Sequence, residues 1–211
     1  MWRPVLDTIL PLRCVFCGSR SRPPEQAVCS GCHADLPRIA SPPPAPTSAF
    51  VAELAPFAYD FPINAAIKAL KYGRKLYYAP ALAELLCEIA AEIPAGIDAV
   101  VPVPLHWRRR AFRGFNQAEE IGRPLARHLG VPLIHNVRRR RATRSQSGLS
   151  ARERARNLRG AFRVQGRVPY VHVLIVDDVI TTGVTLRQVA AALQATGDVR
   201  LSAIAVARTP A

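Results

Sequence analysis

The stretch Val173–Leu186, VLIVDDVITTGVTL, decides how the rest of the chain is read. Val173 to Val176 are four consecutive apolar residues, which suits a strand buried on both faces in a parallel sheet. Asp177 and Asp178 follow at once, and a pair of like charges is costly at the end of a buried strand unless something binds there. Thr181, Thr182, Gly183, Val184 and Thr185 then open a helical pattern. The unpaired backbone N–H groups and the dipole of a helix start favour a phosphate. Gly183 permits close approach, and the hydroxyls of Thr181, Thr182 and Thr185 add donors.

In a parallel sheet, ligands sit at the carboxyl ends of the strands, and this stretch is expected to end a strand at that edge. Acids just ahead of a phosphate cradle repel an anion, unless the ligand carries hydroxyls beyond its phosphate. A ribose 5-phosphate has that layout: phosphate on residues 181–185, and 2′- and 3′-hydroxyls donating to Asp177 and Asp178. The stretch lacks the Gly-x-x-x-x-Gly-Lys spacing of a Walker A loop.

Outward from this point the pattern is α/β. Ile63, Ile67 and Leu70 in PINAAIKALKYGRK share a helical face, with Gly73 as the stop. APALAELLCEIAAEI is a second apolar helix, in which Cys87 reads as a small buried hydrophobe. DAVVPVPL (98–105) is a short buried strand. FNQAEEIGRPLARHLG is helical, with Asn116 as a cap and Glu119 at capping-box spacing. Pro124 within it predicts a kink or break, at about 3 kcal/mol of helix propensity. VPLI (131–134) is a candidate strand, a basic loop-containing segment follows, and VRLSAIAVA is a last strand. Strands alternating with helices predict a doubly wound, mostly parallel sheet.

The first forty residues differ. Cys14-x-x-Cys17 and Cys29-x-x-Cys32 are two knuckles separated by eleven residues. Each puts two thiolates on one turn, and the pair completes a tetrahedral, closed, structural Zn²⁺ site. His33 is an alternative ligand. SPPPAPTS (41–48) reads as a stiff connector. The expected organisation is a zinc ribbon over 1–40, a Pro-rich linker over 41–49 and the α/β domain over 50–211. Clustered thiols used as metal ligands fit a cytoplasmic setting. No run approaches the ~18 apolar residues of a membrane helix, so no membrane insertion is expected.

The chain has 211 residues, 49% apolar, and a formal net charge of +14, which favours anionic partners. Lys68, Lys71 and Lys75 are the only lysines, all within one short stretch, while eleven arginines fall between 138 and 167.

VLIVDDVITTGVT resembles the phosphoribosyl-diphosphate (PRPP) binding motif of type I phosphoribosyltransferases. Together with CVFCG…CSGC, ALKYGRK, VPVPLHWRRRAFRGFNQAEEIGRPLA and RATRSQSGLSARERARNLRGAF, in that order, it resembles the ComF family over nearly the whole chain. The resemblance implies a type I phosphoribosyltransferase sheet with an N-terminal zinc ribbon. It implies that Asp177 and Asp178 hold the ribose hydroxyls and residues 181–185 the 5′-phosphate. Pro104, Leu105 and His106 would lie beside the diphosphate, with Arg108 to Arg110 (Arg109 among them) or Arg113 supplying charge and Mg²⁺ accompanying PRPP.

Lys68 and Lys71 face either an anion or solvent, and the arginine run is open to the same two readings. Asn116 and Gln117 either cap or face the site. Arg139, Arg144 and Arg156 belong to the basic segment that corresponds to the loop closing over PRPP. They divide between that role and a track for single-stranded DNA, whose handling in natural competence the resemblance implies, together with competence proteins as partners. Two readings follow: a PRPP-dependent transferase, or a PRPP-binding, DNA-handling adaptor without turnover. The remaining histidines (His106, His128, His135, His172) have no metal spacing. No Ser-His-Asp or Cys-His constellation appears, and phosphoribosyl transfer needs none, because positioning and electrostatics carry most of its barrier reduction.

Overall fold

The computed structural model describes residues 13–20, 27–40, 49–140 and 160–209. Its elements run, in order, α1 (Ser30–Ala34), β1 (Glu53–Leu54), β2 (Phe57–Ala58), α2 (Ile63–Gly73), α3 (Tyr78–Glu88), a 3₁₀ turn (Ala90–Glu92), β3 (Ala99–Pro102), α4 (Trp107–Arg113), α5 (Gln117–His128), β4 (Val137–Arg139), β5 (Phe162–Val164), β6 (His172–Ile180), α6 (Val184–Gln194) and β7 (Arg200–Arg208). The connector at 41–48, the stretch 141–159 and with it Arg144 and Arg156 lie outside the described residues.

Period-two alternation along the long strands sorts the core into two layers. Leu174 and Val176 of β6 and Ile204 and Val206 of β7 face one layer, where α2, α3 and α5 bring Ile67, Leu70, Leu82, Leu86, Ile121 and Leu125. Val173, Ile175, Leu201 and Ala203 face the other, where α6 brings Leu186, Val189 and Leu193 and the β4–β5 hairpin brings Val137 and Phe162. Burying each such Leu or Ile contributes roughly 1.5–3 kcal/mol. The sheet is parallel throughout: β3 pairs β6, β6 pairs β7, and both β1 and β2 pair β7. This is the expected doubly wound architecture.

Its connections diverge at one place. After β3 the chain crosses the first layer through α5 and returns outside β3, where Leu133 makes an isolated parallel bridge to Val100. After β6 it crosses the opposite layer through α6 to β7. The carboxyl ends of β3 and β6 are therefore the switch point where such sheets bind ligands.

Four local expectations are corrected. VPLI forms that single bridge rather than a strand. α5 runs through Pro124 without a break, because fully buried Ile121 and Leu125 hold its apolar face in the core; packing outweighs propensity. Gly73 is still helical, and Arg74 takes the left-handed cap conformation at φ 54. Finally, β6 does not end at the acids: Val179 and Ile180 continue the ladder with β7. On its other side β6 loses its partner after Pro102↔Val176. Asp177 and Asp178 thus project from a strand supported on one side only.

The cysteine-rich segment packs on the same body. Its two knuckles are a turn closed by Gly18 N–H donating to Cys14 O at 2.9 Å, and the start of α1, which is N-capped at Cys29. Leu36 enters the first core layer. Arg38 bridges Phe57 in antiparallel register, Ala58 N–H donates to Pro37 O and Ile39 N–H to Pro56 O. Glu88 of α3 accepts from His33 Nε2 at 2.7 Å and lies 3.4 Å from Arg38 Nη2. His33 is engaged there and is not part of the cysteine group.

Candidate functional site

A cavity of about 340 Å³ opens at the switch point. Asp177, Asp178, Thr181 and Thr185 line it from β6 and the start of α6; Pro104, Leu105 and Arg109 from the segment after β3; Arg139 from β4; and Lys71 from α2. Tyr59, Tyr72, Asn116 and Gln117 add to the wall, with Val103 and Val179. The sequence candidates are thus largely brought together. Lys68 is exposed and does not line the cavity. Thr182, Gly183 and Val184 are set back: Val184 packs into the core, and Gly183 is the helix N-cap at φ 68. A side chain at Gly183 would be strained in that backbone conformation, and its Cβ would lie 2.7 Å from Arg187 Nη1.

The acids are asymmetric. Asp178 is 4% exposed and accepts from Lys71 Nζ at 2.9 Å through Oδ1. Asp177 accepts from the Asp178 backbone N–H at 2.9 Å. Burial pushes the Asp177 carboxyl up to about 7, the Asp178 charge adds to this, and Lys71 opposes it. Burial alone would lower Lys71, but the Asp178 carboxylate outweighs it and holds the ammonium above its ordinary value. Burial, with the Arg109 charge next, brings Arg139 down to about 10. Acceptors on β6 thus face cations from three other elements, a division that suits a ligand with hydroxyls at one end and phosphate charge elsewhere.

The arginine run forms a helix, α4. His106 caps it, with Nδ1 accepting from Arg108 N–H at 3.3 Å. Arg110 lies 3.5 Å from Glu119, which Arg123 also pairs at 2.8 Å. Arg113 does not line the cavity but stacks over Tyr72 at 5.5 Å and donates to Gln117 Oε1 at 2.6 Å. Asn116 occupies the cap position of α5, but its side chain makes no cap bond. Sequence reasoning missed Arg187, whose Nη2 donates to Thr182 O at 2.6 Å, folding a cation back over the first turn of α6. The signal was its spacing, one helical turn from Gly183.

The sulfur atoms of Cys14, Cys17, Cys29 and Cys32 all lie within 4.8 Å of one another and form a group able to hold a metal ion such as zinc. Hydrogen bonds from Ser19 bring the Cys17 thiol down to about 6, while burial and the neighbouring sulfurs push Cys32 up. Cys87 is partly buried and packs against the core. No helix among the described residues is long and apolar enough to cross a membrane.

Residues 116–211 match the family model of the phosphoribosyl transferase domain, so this part of the chain is a phosphoribosyltransferase-type domain. Among solved structures the chain is similar to glutamine PRPP amidotransferase from B. subtilis, with a TM-score of 0.46 and 19% identity over 66% of this chain and 30% of that one. It is 37% identical to the DNA utilization protein YhgH of Escherichia coli (strain K12) over 210 residues, covering 93% of this chain and 90% of that one. It is 35% identical to Competence protein F of Haemophilus influenzae over 151 residues, covering 66% and 65% respectively. With its four-cysteine group, the chain belongs to the ComF family.

Proposed function

We propose that the protein binds PRPP with Mg²⁺ at the switch-point cavity, holds structural zinc at the four cysteines, and serves a competence-related, DNA-utilising process like that named for its relatives. The observation that carries the PRPP reading is the convergence of Asp177, Asp178, Thr181, Thr185, Arg109 and Arg139 on one cavity. In this reading Asp177 and Asp178 accept from the ribose hydroxyls. The start of α6 receives the 5′-phosphate, assisted by Arg187. Arg109 and Arg139 take the diphosphate beside Pro104 and Leu105. Mg²⁺ would neutralise diphosphate charge and aid its departure if the ligand turns over. The protein's own contribution is then orientation and a fixed field.

Calorimetric titration of Mg²⁺-PRPP tests this. Charge-assisted hydrogen bonds are worth roughly 1.5–3 kcal/mol, so the Asp177→Ala/Asp178→Ala variant is expected to lose at least tenfold in affinity. Wild-type affinity should also rise between pH 6 and pH 8. An ionised Asp177 accepts hydroxyl donors best, and its carboxyl ionises only as the pH passes about 7. Equal binding by variant and wild type would remove the site assignment.

A second reading, contact with single-stranded DNA, is favoured by a particular surface. Tyr72 at the cavity wall is 75% exposed with Arg113 over its ring; Trp107 is 64% exposed with Arg108 5.3 Å from its ring; and Phe112, next to Arg113 in sequence, is 80% exposed. Such aromatic–arginine pairs stack unpaired bases. Fluorescence anisotropy with a single-stranded oligonucleotide is expected to show binding that weakens steeply with salt, as counterion release requires. A signal absent at low salt, or unchanged by salt, counts against it.

A further inference from the structure

The side chain of Asn116 is held in an unusual way. Its Nδ2 donates to Val103 O at 3.1 Å, which fixes the amide orientation and identifies the other atom as the oxygen. That Oδ1 is buried and has no hydrogen-bond partner, in a residue 4% exposed. A buried acceptor without a donor forfeits its hydration and gains nothing in return. As a helix cap the side chain is wasted, since no cap bond is made. Asn116 instead lines the cavity with Pro104, Leu105 and Arg109. Asp178 Oδ2 is a second buried acceptor without a partner in the same wall.

A phosphate oxygen satisfies neither atom, because both are acceptors and need a donor. We infer that Asn116 Oδ1 is a ligand-recognition atom that accepts an O–H from the bound molecule at its diphosphate end. Two sources share that chemistry: a hydroxyl of the sugar, and a water carried on the divalent cation. The inference rests on the PRPP reading and adds a specificity-determining residue to it. Ligands that bring phosphate charge but no O–H to this position should bind more weakly.

The test compares wild type, Asn116→Leu and Asn116→Ala by calorimetry, with Mg²⁺-PRPP and with metal-free ribose 5-phosphate, alongside thermal melts. Leucine approximates the amide's volume and removes the unsatisfied acceptor along with the Val103 bond, so its melting point should stay within a few degrees. Affinity for Mg²⁺-PRPP is expected to fall roughly tenfold, the scale of one lost hydrogen bond. A parallel loss with ribose 5-phosphate identifies the donor as a hydroxyl; a loss confined to Mg²⁺-PRPP identifies cation-bound water. Unchanged affinity in folded variants overturns the inference while leaving the PRPP site intact. Loss of fold in both variants also overturns it, since the side chain is then structural. Failure of the wild type to bind Mg²⁺-PRPP overturns the PRPP reading, and this inference with it.

Discussion

Replacing Lys71 by methionine is expected to destabilise the protein by about 3 kcal/mol at pH 8.5 and by much less at pH 5.5. In the wild type Lys71 Nζ lies 2.9 Å from Asp178, with the two side chains 19% and 5% exposed. Methionine keeps most of the stem's packing and deletes the charge, leaving two adjacent carboxyls in a desolvated wall without their counter-ion. Lys71 is also the largest of the influences opposing the upward shift of Asp177, so its loss moves that carboxyl further up. A carboxyl raised in the folded state binds its proton more tightly there than in the unfolded chain. Its favourable contribution is therefore complete below the ordinary carboxylate range and is lost as pH rises through the folded value. At pH 5.5 the Asp177 proton offsets the missing ammonium; at pH 8.5 that proton is gone, and only the Asp178 N–H and the field of Arg139 remain. Urea unfolding at the two pH values reads the difference. An equal gap at both would show that Lys71 acts through its stem rather than its charge.

On the zinc proposal, chelation is expected to lower the melting temperature by about 5 °C or more, reversibly on adding zinc back. The four cysteines do more than close their own turns. They hold in place the segment that delivers Leu36 to the core, the backbone of residues 37–39 to β2, and His33 and Arg38 to Glu88. Ala27 N–H also donates to Glu84 Oε2 at 3.2 Å, and Phe16 packs against Tyr78 with ring centroids 6.5 Å apart. Losing the burial of Leu36 alone costs about 2 kcal/mol, which at this chain length corresponds to several degrees. Melting curves with chelator, with zinc, and for Cys14→Ser check it. Curves that superimpose would mean the cysteines hold no stabilising ion.

Much of this was legible in the sequence, because the signals were local. Strand, acid pair, Thr-Gly turn and helix start all lie within Val173–Leu186, and each cysteine knuckle spans four residues. What was hidden depends on partners far apart in the chain. Lys71 and Lys68 look alike in sequence, and only the rotation of α2 against β6 sends one to Asp178 and the other to solvent. Arg139 looks like any member of a basic run, yet its place on β4 directs it into the cavity. Asn116 has the composition and position of a helix cap, and the carbonyl of Val103 takes its amide instead. Pro124 breaks a local rule because tertiary packing decides its conformation.

The docking of the cysteine-rich segment on β2 has a consequence for solubility. β2 lies at the margin of a five-stranded sheet, and residues 37–39 supply the hydrogen bonds that its outer side would otherwise present to other molecules. An uncovered margin of that kind is a template for association between chains. The small four-cysteine unit is therefore a guard as well as an appendage. Chelation should promote self-association along β2, and light scattering during metal removal would rise before the remaining sheet unfolds.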